Sequence, residues 1–441
     1  MKHLATPLGW LLASILSCAP ALALADTGQS EIQLLREQIR ALSARLDALE
    51  QGTNRNTAAP ATRVRAAHDT ASGSADDAPG SDLADLDHRI DQAVEARVAD
   101  RLEALAWAER IRWSGDFRYR YENIDRQGQD ERNRNRIRAR AALQARVSDT
   151  VRVGLGLASG SQDPVSTNQT LGMAGSHKSL NIDLAYFEWT GLTNTAIFGG
   201  KYKNPLKRVG SSALVWDGDW RPEGFAAAYE DGSVFAYGLG TWLESDSASG
   251  QQEFSYLLQG GTRLRLGNKA ELMLGAGYYA VDAADKGSFF GDGDFFGNSF
   301  DAATQSYRYD YRMVEAFAEL TLSTFDRPLT LFGDYVTNLD ADDEDSGYSL
   351  GFEYGEAKTP GAWSVGYLYK KLEADAVLGL LADSDFGRGG TDAKGHVLSG
   401  AYAIQDRWIF ELTYFINKTG LASGDPQDQD RLQLNLNFKY R

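Results

Sequence analysis

The sequence is poor in the residues that build disulfide-stabilised or histidine-dependent sites. It holds one cysteine, Cys18, and five histidines in 441 residues. A single cysteine forms no intramolecular disulfide. Only His177 and His396 fall in the C-terminal three quarters of the chain, and neither stands in a recognisable catalytic spacing. The net charge of -16 argues against nucleic acid as a partner.

Long apolar runs are also lacking from the body of the chain, and a membrane helix needs about 20 apolar residues. The exception is the N-terminus, where a basic start, an apolar core at 8–16 and a small-residue site ending at Ala25 predict a secretory signal peptide over residues 1–25. A lipoprotein signal at Cys18 is the alternative, but Leu16 and Ser17 fit that pattern poorly. If the chain is a membrane protein, it must therefore be a barrel.

Two helical segments follow the signal peptide. Apolar residues in steps of three and four predict a short coiled coil over 26–52, stabilised by an oligomer, or alternatively an amphipathic helix resting on its own barrel. Residues 53–82 have no apolar period and predict a flexible linker. Residues 83–110 predict a second helix, also periplasmic. The coiled-coil positions are Ile32, Leu35, Ile39, Leu42, Leu46 and Leu49.

From Ile111 the apolar period changes to two, which predicts an antiparallel barrel over 111–441. Tight turns are expected to alternate strictly with long loops at 161–180, 204–222, 282–307 and 374–394, as in outer-membrane barrels. The fold class is thus all-β, a 16-stranded transmembrane barrel with an N-terminal coiled-coil extension. The expected strands are 111–122, 134–147, 151–160, 181–190, 195–203, 223–231, 234–243, 254–266, 270–281, 308–322, 328–338, 347–357, 362–373, 395–405, 407–418 and 431–441.

Charged residues on the inward phase predict a polar lumen. Arginine at mid-depth in lipid costs about 2–4 kcal/mol, so the alternating arginines of the second strand must face inward. The interpretation is a basic wall facing an acidic wall across a water-filled pore, or alternatively charges that only pair between neighbouring strands. The basic residues are Arg118, Arg120, Arg134, Arg136, Arg138, Arg140, Arg146, Arg152, Lys201 and Lys203. The acidic residues are Glu271, Glu315, Glu319, Asp334 and Glu353.

The loop 204–222 carries apolar side chains that are unusual in an exposed connection. We expect it to fold into the barrel and narrow the pore, the alternative being a cap packed on the rim. The residues expected at the constriction are Trp216, Asp217, Asp219, Trp220 and Glu223. No metal or cofactor site is expected, and a solvated acidic rim is favoured over cation bridging to lipopolysaccharide for the outer loops, including Asp383 and Asp385.

Several segments together resemble the Putative porin family of Gram-negative outer membranes, which is distantly similar to the phosphate-selective porins. They are FRYRYE and RNRIRARA in the first two strands, KNP and LVWDGDWRPEG in the third loop, and the alternating final strand RLQLNLNFKYR. The resemblance implies a trimeric diffusion channel for small hydrophilic solutes or ions, in contact with outer-membrane lipid and lipopolysaccharide. It does not imply phosphate as the solute.

Two other function classes remain open from the sequence. A barrel enzyme would need a nucleophile with a base, or an acidic dyad, at the loop mouth. A structural tether would use residues 26–110 to hold a periplasmic partner, with the pore incidental.

Overall fold

The computed structural model describes residues 110–245, 252–291, 293–323 and 326–440, together with residue 92. The predicted signal peptide, coiled coil and linker lie outside the described residues, as does nearly all of the predicted helix over 83–110. Among the described residues, no helix combines the length and apolar composition that a membrane-crossing helix needs.

Sixteen long strands form one closed antiparallel sheet. Each strand pairs with the next along the chain, and the first pairs with the last, with Gly115 opposite Tyr440 and Arg126 opposite Gln429. The predicted closed barrel of sixteen strands is therefore confirmed. The strands are β1 Ile111–Arg126, β2 Arg132–Arg146, β3 Val151–Ser159, β4 Leu180–Leu192, β5 Thr195–Lys201, β6 Glu223–Glu230, β7 Val234–Glu244, β8 Glu253–Arg265, β9 Ala270–Val281, β10 Tyr311–Leu322, β11 Leu329–Asn338, β12 Ser346–Gly355, β13 Trp363–Leu372, β14 Ala393–Gln405, β15 Trp408–Thr419 and β16 Gln427–Tyr440.

The two-residue apolar alternation explains why these segments form the wall. Successive side chains of a strand point to opposite faces, so one phase covers the outside of the barrel and the other lines its interior. The outward phase is apolar and exposed, which suits contact with lipid. Examples are Val153, Leu155 and Leu157 on β3, Leu274 and Tyr278 on β9, and Phe410, Leu412 and Ile416 on β15.

The connections at the two ends of the barrel differ in length, although the difference is less strict than expected. The eight outer loops, numbered in chain order, are 127–131, 160–179, 202–222, 245–252, 282–310, 339–345, 373–392 and 420–426. The first, sixth and eighth loops are as short as the turn 356–362 at the opposite end, so the predicted strict alternation of short and long connections is wrong. The long loops carry their own structure: a strand Gln169–Thr170 paired with β2, a hairpin of Phe300–Asp301 with Ser306–Tyr307, and 3-10 turns at Met173–Gly175, Val209–Ser211 and Gly379–Leu381.

One side of the barrel interior is filled by an apolar core. The third, fifth and seventh loops supply buried residues such as Trp216, Phe295 and Leu378, which pack with inward residues of β7 to β13 such as Phe235 and Phe332. Because this core covers one side of the interior, the polar part of the lumen runs along β16, β1 and β2.

Candidate functional site

The inward side chains of β1 and β2 face one another in four rungs. The two end rungs join a carboxylate to an arginine, whereas the two middle rungs place arginine against arginine. Like charges directly opposite each other destabilise a sheet, so the middle rungs need anions from elsewhere. We call these six arginines the arginine row. The rungs are Asp116 with Arg140, Arg118 with Arg138, Arg120 with Arg136, and Glu122 with Arg134.

The two wall carboxylates serve four of the six arginines. Asp116 lies 2.9 Å from Nη2 of Arg138 and 2.8 Å from Nη2 of Arg140. Glu122, whose side chain is fully buried, contacts Nε of Arg134 and lies 3.9 Å from Nη1 of Arg136. The two remaining arginines, at positions 118 and 120, reach beyond these two strands for their partners.

The third loop crosses the interior and is anchored on the far wall. The Gly210 amide donates to Glu319 at 3.1 Å, and the Ser212 hydroxyl donates to Asp334 at 3.1 Å. Trp216 packs edge-on against Tyr279 with 4.9 Å between ring centroids. The loop therefore lies inside the barrel and not on its rim, and its far end reaches the arginine row.

Asp219 is the residue by which the third loop meets the arginine row. Its Oδ1 lies 2.9 Å from Nη1 of Arg140, and its Oδ2 lies 3.9 Å from Nη1 of Arg138. Burial alone would raise the pKa of Asp219, but Arg140, Arg138 and Arg221 outweigh it and lower that pKa. The carboxylate is thus ionised and bridges loop and wall. Trp220 is buried beside Trp216, with 6.4 Å between their ring centroids.

The predicted acidic wall does not face the open lumen, because the third loop covers it. Glu315 and Asp334 point inward but are only 2% and 5% exposed. Asp334 accepts from Ser212, and Glu315 accepts from Gln259 at 3.2 Å. The expectation of two open opposing walls is therefore wrong; the arginine row faces the carboxylates of loops.

Two more of the five predicted acidic residues lie away from the arginine row. Glu271 is opposite Arg265 at the end of β9 that follows a turn. Glu353 is opposite Thr330 of β11 and near the turn 356–362. Neither residue meets an arginine of the row, so both belong to the turn end of the lumen.

The seventh loop also folds into the barrel and brings a second carboxylate to the arginine row. Asp385 Oδ2 lies 2.9 Å from Nη1 of Arg120, and its Oδ1 lies 2.8 Å from Nη1 of Arg431 on β16. The sequence predicts Asp383 and Asp385 in a solvated outer rim. That expectation is wrong, because the apolar segment 376–382 buries this loop against the core.

A buried lysine joins the third and seventh loops. The Lys370 ammonium group, fully buried, donates to the Ser212 carbonyl at 3.1 Å and to Asp383 Oδ2 at 2.9 Å. The Asp217 amide donates to the Leu381 carbonyl at 2.7 Å. The two loops are therefore held to each other as well as to the wall.

Asp217 faces the seventh loop and not the arginine row. Its Oδ2 accepts from the amide and the hydroxyl of Ser384, at 3.2 and 3.3 Å. Burial, with Asp383 and Asp219 close by, raises the pKa of Asp217 to about 7. Of the two aspartates expected to face the arginines, the structure brings only Asp219 to them.

The remaining predicted basic residues divide between lumen and outer face. Arg146 and Arg152 are opposite each other on the inward phase, and Arg152 lies 3.3 Å from Glu188. Lys203, with Asp116, Arg140 and Arg221, lines a cavity of about 300 Å³. Arg146 and Arg152 therefore lie between the arginine row and the turn end of the lumen, and Lys203 lies beside the row.

Lys201 and Glu223 form an ion pair of 2.5 Å at the outer end of the wall, where both border a cavity of about 570 Å³ that Asp219 and Arg221 also line. They are opposite each other in the sheet, and Glu223 shares its phase with Phe225, which is 56% exposed on the outer face. Both were expected at the pore. The strand register places them on the outward phase, yet they border the same cavity as Asp219 and Arg221 of the third loop.

Sequence reasoning missed Asp385, Arg431 and Asp183 as members of this site. Arg431 could have been found, because it lies on the inward polar phase of the last strand. Asp183 pairs with Arg221 at 3.4 Å, and its position next to a bulge on β4 obscures its phase. Asp385 has no local signal, since its partner Arg120 is 265 positions away.

Within the described part of the chain, no group of three or more His, Cys, Asp or Glu residues could hold a metal ion. In the acidic sixth loop, Asp340 is instead paired with Arg312. His396 accepts or donates a hydrogen bond with Tyr367 at 2.8 Å. It lies opposite Ile416 on the outward phase, away from the arginine row.

Comparison with protein families matches two segments, residues 125–287 and 298–440, to the family described as Putative porin. The chain belongs to this family. It is thus an outer-membrane porin channel, and its barrel is transmembrane. A search of curated proteins finds no match for this porin.

Solved porin structures match this chain at low sequence identity. OprB of Pseudomonas putida, in a high-pH structure, is 13% identical over 77% of this chain and 96% of its own, with a TM-score of 0.51. OmpF of Salmonella typhi, solved in complex with daunomycin, is 10% identical over 75% and 97%, with a TM-score of 0.46. OmpT of Vibrio cholerae, in its trimer form, is 12% identical over 75% and 99%, with a TM-score of 0.42. At such identities the likeness to OprB concerns the fold alone.

Proposed function

We propose that this porin passes small hydrophilic solutes by diffusion and prefers anions. The observation that carries the proposal is the charge of the constriction, by which we mean the arginine row and the ion pairs connected to it. Eight guanidinium groups stand there against five carboxylates. The other two guanidiniums belong to Arg221 and Arg431, and the carboxylates to Asp116, Glu122, Asp183, Asp219 and Asp385.

Electrostatics gives this excess its effect on permeation. Fixed charges in a narrow, low-dielectric channel concentrate counter-ions and exclude ions of the same sign. The loop carboxylates face the arginines directly, so the transverse field lies between the arginine row and Asp219 with Asp385. Such a field orients dipolar solutes and disfavours apolar ones.

Arg118 contributes most clearly to the excess. No carboxylate of the described residues forms an ion pair with it; its Nη2 donates instead to the amide oxygen of Asn168 at 2.5 Å. Among the described residues, Arg136 has one ion-pair partner, Glu122 at 3.9 Å, and Glu122 is shared with Arg134. The charge of these two side chains is therefore the least neutralised in the constriction.

Reversal potential in a planar bilayer under a salt gradient tests the proposal. We expect the sign of an anion-preferring channel for the purified porin. The double variant Arg118→Gln with Arg136→Gln should reduce that preference, whereas Arg407→Gln in an exposed turn should leave it unchanged. A cation-preferring reversal potential, or inserted protein that carries no current, would reject the proposal.

The assignments outside the described barrel are also proposals. We place a cleaved signal peptide at 1–25, a periplasmic coiled coil at 26–52 that supports a homotrimer, a linker at 53–82 and a second periplasmic helix at 83–110. The heptad spacing of apolar residues supports the coiled coil. Lipid and lipopolysaccharide are the partners expected for the outer apolar face.

A further inference from the structure

Asp385 is a loop residue that fills a position between two wall arginines. Its two oxygens are divided between guanidiniums of β1 and β16, at 2.9 Å from Arg120 and 2.8 Å from Arg431. Both arginine side chains are only 4% exposed. Arg120 is also held by the neighbouring strand, because its Nε donates to Asn435 of β16 at 2.7 Å. The two guanidiniums are thus held in place by the wall itself.

These guanidiniums need an anion at this position. An unpaired buried charge is strongly destabilising, and arginine forms its strongest hydrogen bonds with carboxylate and phosphate oxygens. Arg120 has one ion-pair partner among the described residues, Asp385. Arg431 has a second, Glu122, but at 3.7 Å. An acidic group at the position of the Asp385 carboxylate therefore supplies the close ion-pair partner that Arg120 and Arg431 do not find on the wall.

Of the two carboxylates that pair with these arginines, a solute can replace Asp385 more easily than Glu122. Asp385 belongs to the seventh loop and its side chain is 24% exposed, whereas the wall carboxylate Glu122 is fully buried. Ser384, the residue before it, borders a cavity of about 490 Å³ that Arg126 and Arg388 also line. A solute in this cavity lies next to the loop that carries the competing carboxylate.

Two further arginines lie next to the same position. Arg118 is two residues from Arg120 on the same face of β1, which is about 7 Å along the strand. Arg136 lies opposite Arg120. The Nε atoms of Arg118, Arg136 and Arg431 are buried and have no hydrogen-bond partner among the described residues. A solute with two acidic groups can therefore bind at the Asp385 position and at Arg118 together.

We propose that Arg120 and Arg431 form a binding site for the acidic group of a permeating solute, with Asp385 as its built-in competitor. The ligand class is a small carboxylate or phosphate, and dianions bind more tightly than monoanions because of Arg118. A permeating anion displaces Asp385, passes along the arginine row, and leaves when Asp385 returns. The inference rests on the proposed anion preference and adds a saturable site to it.

Inhibition of chloride current in planar bilayers tests the site. Succinate, acetate and inorganic phosphate are added separately to the purified porin in potassium chloride, and the concentration for half-maximal inhibition is measured. We expect saturable inhibition, with succinate acting at lower concentration than acetate. Asp385→Asn should lower the half-inhibiting concentration about tenfold, because the solute no longer competes with a charged side chain; this change corresponds to about 1.4 kcal/mol. The matched control is Asp425→Asn in the exposed eighth loop.

A second variant separates binding from a change of pore width. Arg431→Gln should raise the half-inhibiting concentration, the opposite of Asp385→Asn, while both variants keep the heat-modifiable gel mobility of a folded barrel. Stronger inhibition by succinate assigns the site to carboxylates and stronger inhibition by phosphate to phosphates; either supports it. An Asp385→Asn channel with larger current but unchanged half-inhibition would overturn the site. If the unaltered porin prefers anions in that case, the proposed function stands without it.

Discussion

The Asp219 carboxylate lies 2.9 Å from the Arg140 guanidinium, and this contact joins the tip of the third loop to the second strand. Arg140 is shared with Asp116 of the wall at 2.8 Å, so loop and wall carboxylates bind the same cation. Since the pKa of Asp219 is lowered, the contact is ionic at neutral pH. The position of the loop in the lumen therefore depends in part on one charge.

Removing that charge should loosen the loop and make the constriction more positive. We expect Asp219→Asn to give a larger single-channel current and a stronger anion preference in the reversal potential. Charge-assisted hydrogen bonds contribute about 1.5–3 kcal/mol, so the loop contact weakens without loss of the barrel. Asp406→Asn, in an exposed turn, is the control; equal currents in the two variants would contradict a role for Asp219.

The contact between the third and seventh loops should weaken as pH rises through 7. With a pKa raised to about 7, Asp217 keeps its proton in the folded protein, whereas an unfolded aspartate loses it near pH 4. The folded state therefore binds more protons between these values, and its stability falls with rising pH until the carboxyl ionises. The protection factors of residues 213–222, which are exchange rates corrected for the intrinsic pH dependence of amide exchange, should be lower at pH 8.5 than at pH 5.5. Asp217→Asn should remove this difference, and a pH effect that persists in the variant would have another source.

Lys370 should be the lysine on which stability depends most in this region. Its ammonium group is fully buried between Ser212 and Asp383, 4.3 Å from the Phe386 ring centroid. Lys370→Met leaves Asp383 without its cation, and breaking a buried ion pair costs about 3–5 kcal/mol. We expect a lower temperature for the shift in gel mobility. Lys371→Met, which removes a half-exposed pair with Glu373, should change it little.

Trp216 should anchor the third loop to the apolar core. It is 2% exposed and packs edge-on against Tyr279, so Trp216→Ala should cost about 3–5 kcal/mol of local stability. We expect noisier current and greater conductance as the loop leaves its position. Trp363→Ala is the matched control, because Trp363 lies on the outer face. Identical noise in the two variants would show that other contacts hold the loop.

Deleting residues 26–52 tests the coiled coil. If this segment supports the oligomer, the deletion should lower the fraction of trimer in native gels and crosslinking, while single-channel conductance stays the same. Replacing the six apolar heptad positions by serine should have the same effect at unchanged length. A deletion variant that remains fully trimeric would assign trimerisation to the barrel wall.

The wall could be predicted from the sequence because its rules are local. The alternation of apolar and polar residues from Ile111 onward predicts sixteen strands. The free-energy cost of arginine in lipid predicts which face of β2 points into the lumen. Several boundaries shifted by one to four residues, as in the last strand, which begins at Gln427 and not at Arg431.

The contents of the lumen were harder to predict because they depend on contacts between distant residues. Trp216 and its apolar neighbours marked the third loop as unusual. The seventh loop also has apolar side chains that are unusual in an exposed loop, at Val377, Leu378, Leu380 and Leu381. Its aspartates instead favoured the interpretation of a solvated outer rim. Whether Asp385 meets Arg120 or water is decided by barrel closure, which no short stretch of sequence encodes. The same holds for Glu315 and Asp334, which the third loop covers.

The seam between β1 and β16 has a consequence for assembly. A slip of one residue would turn the apolar face of the last strand into the lumen and is strongly disfavoured. A slip of two residues, about 7 Å, would keep every leucine in lipid. It would separate Phe117 from Phe438 on the outside, and it would also part Arg431 from Asp385 and Arg120 from Asn435. The charged residues of the constriction therefore favour the correct register when β1 and β16 pair to close the barrel. A pore with the expected selectivity thus indicates a barrel that closed in that register.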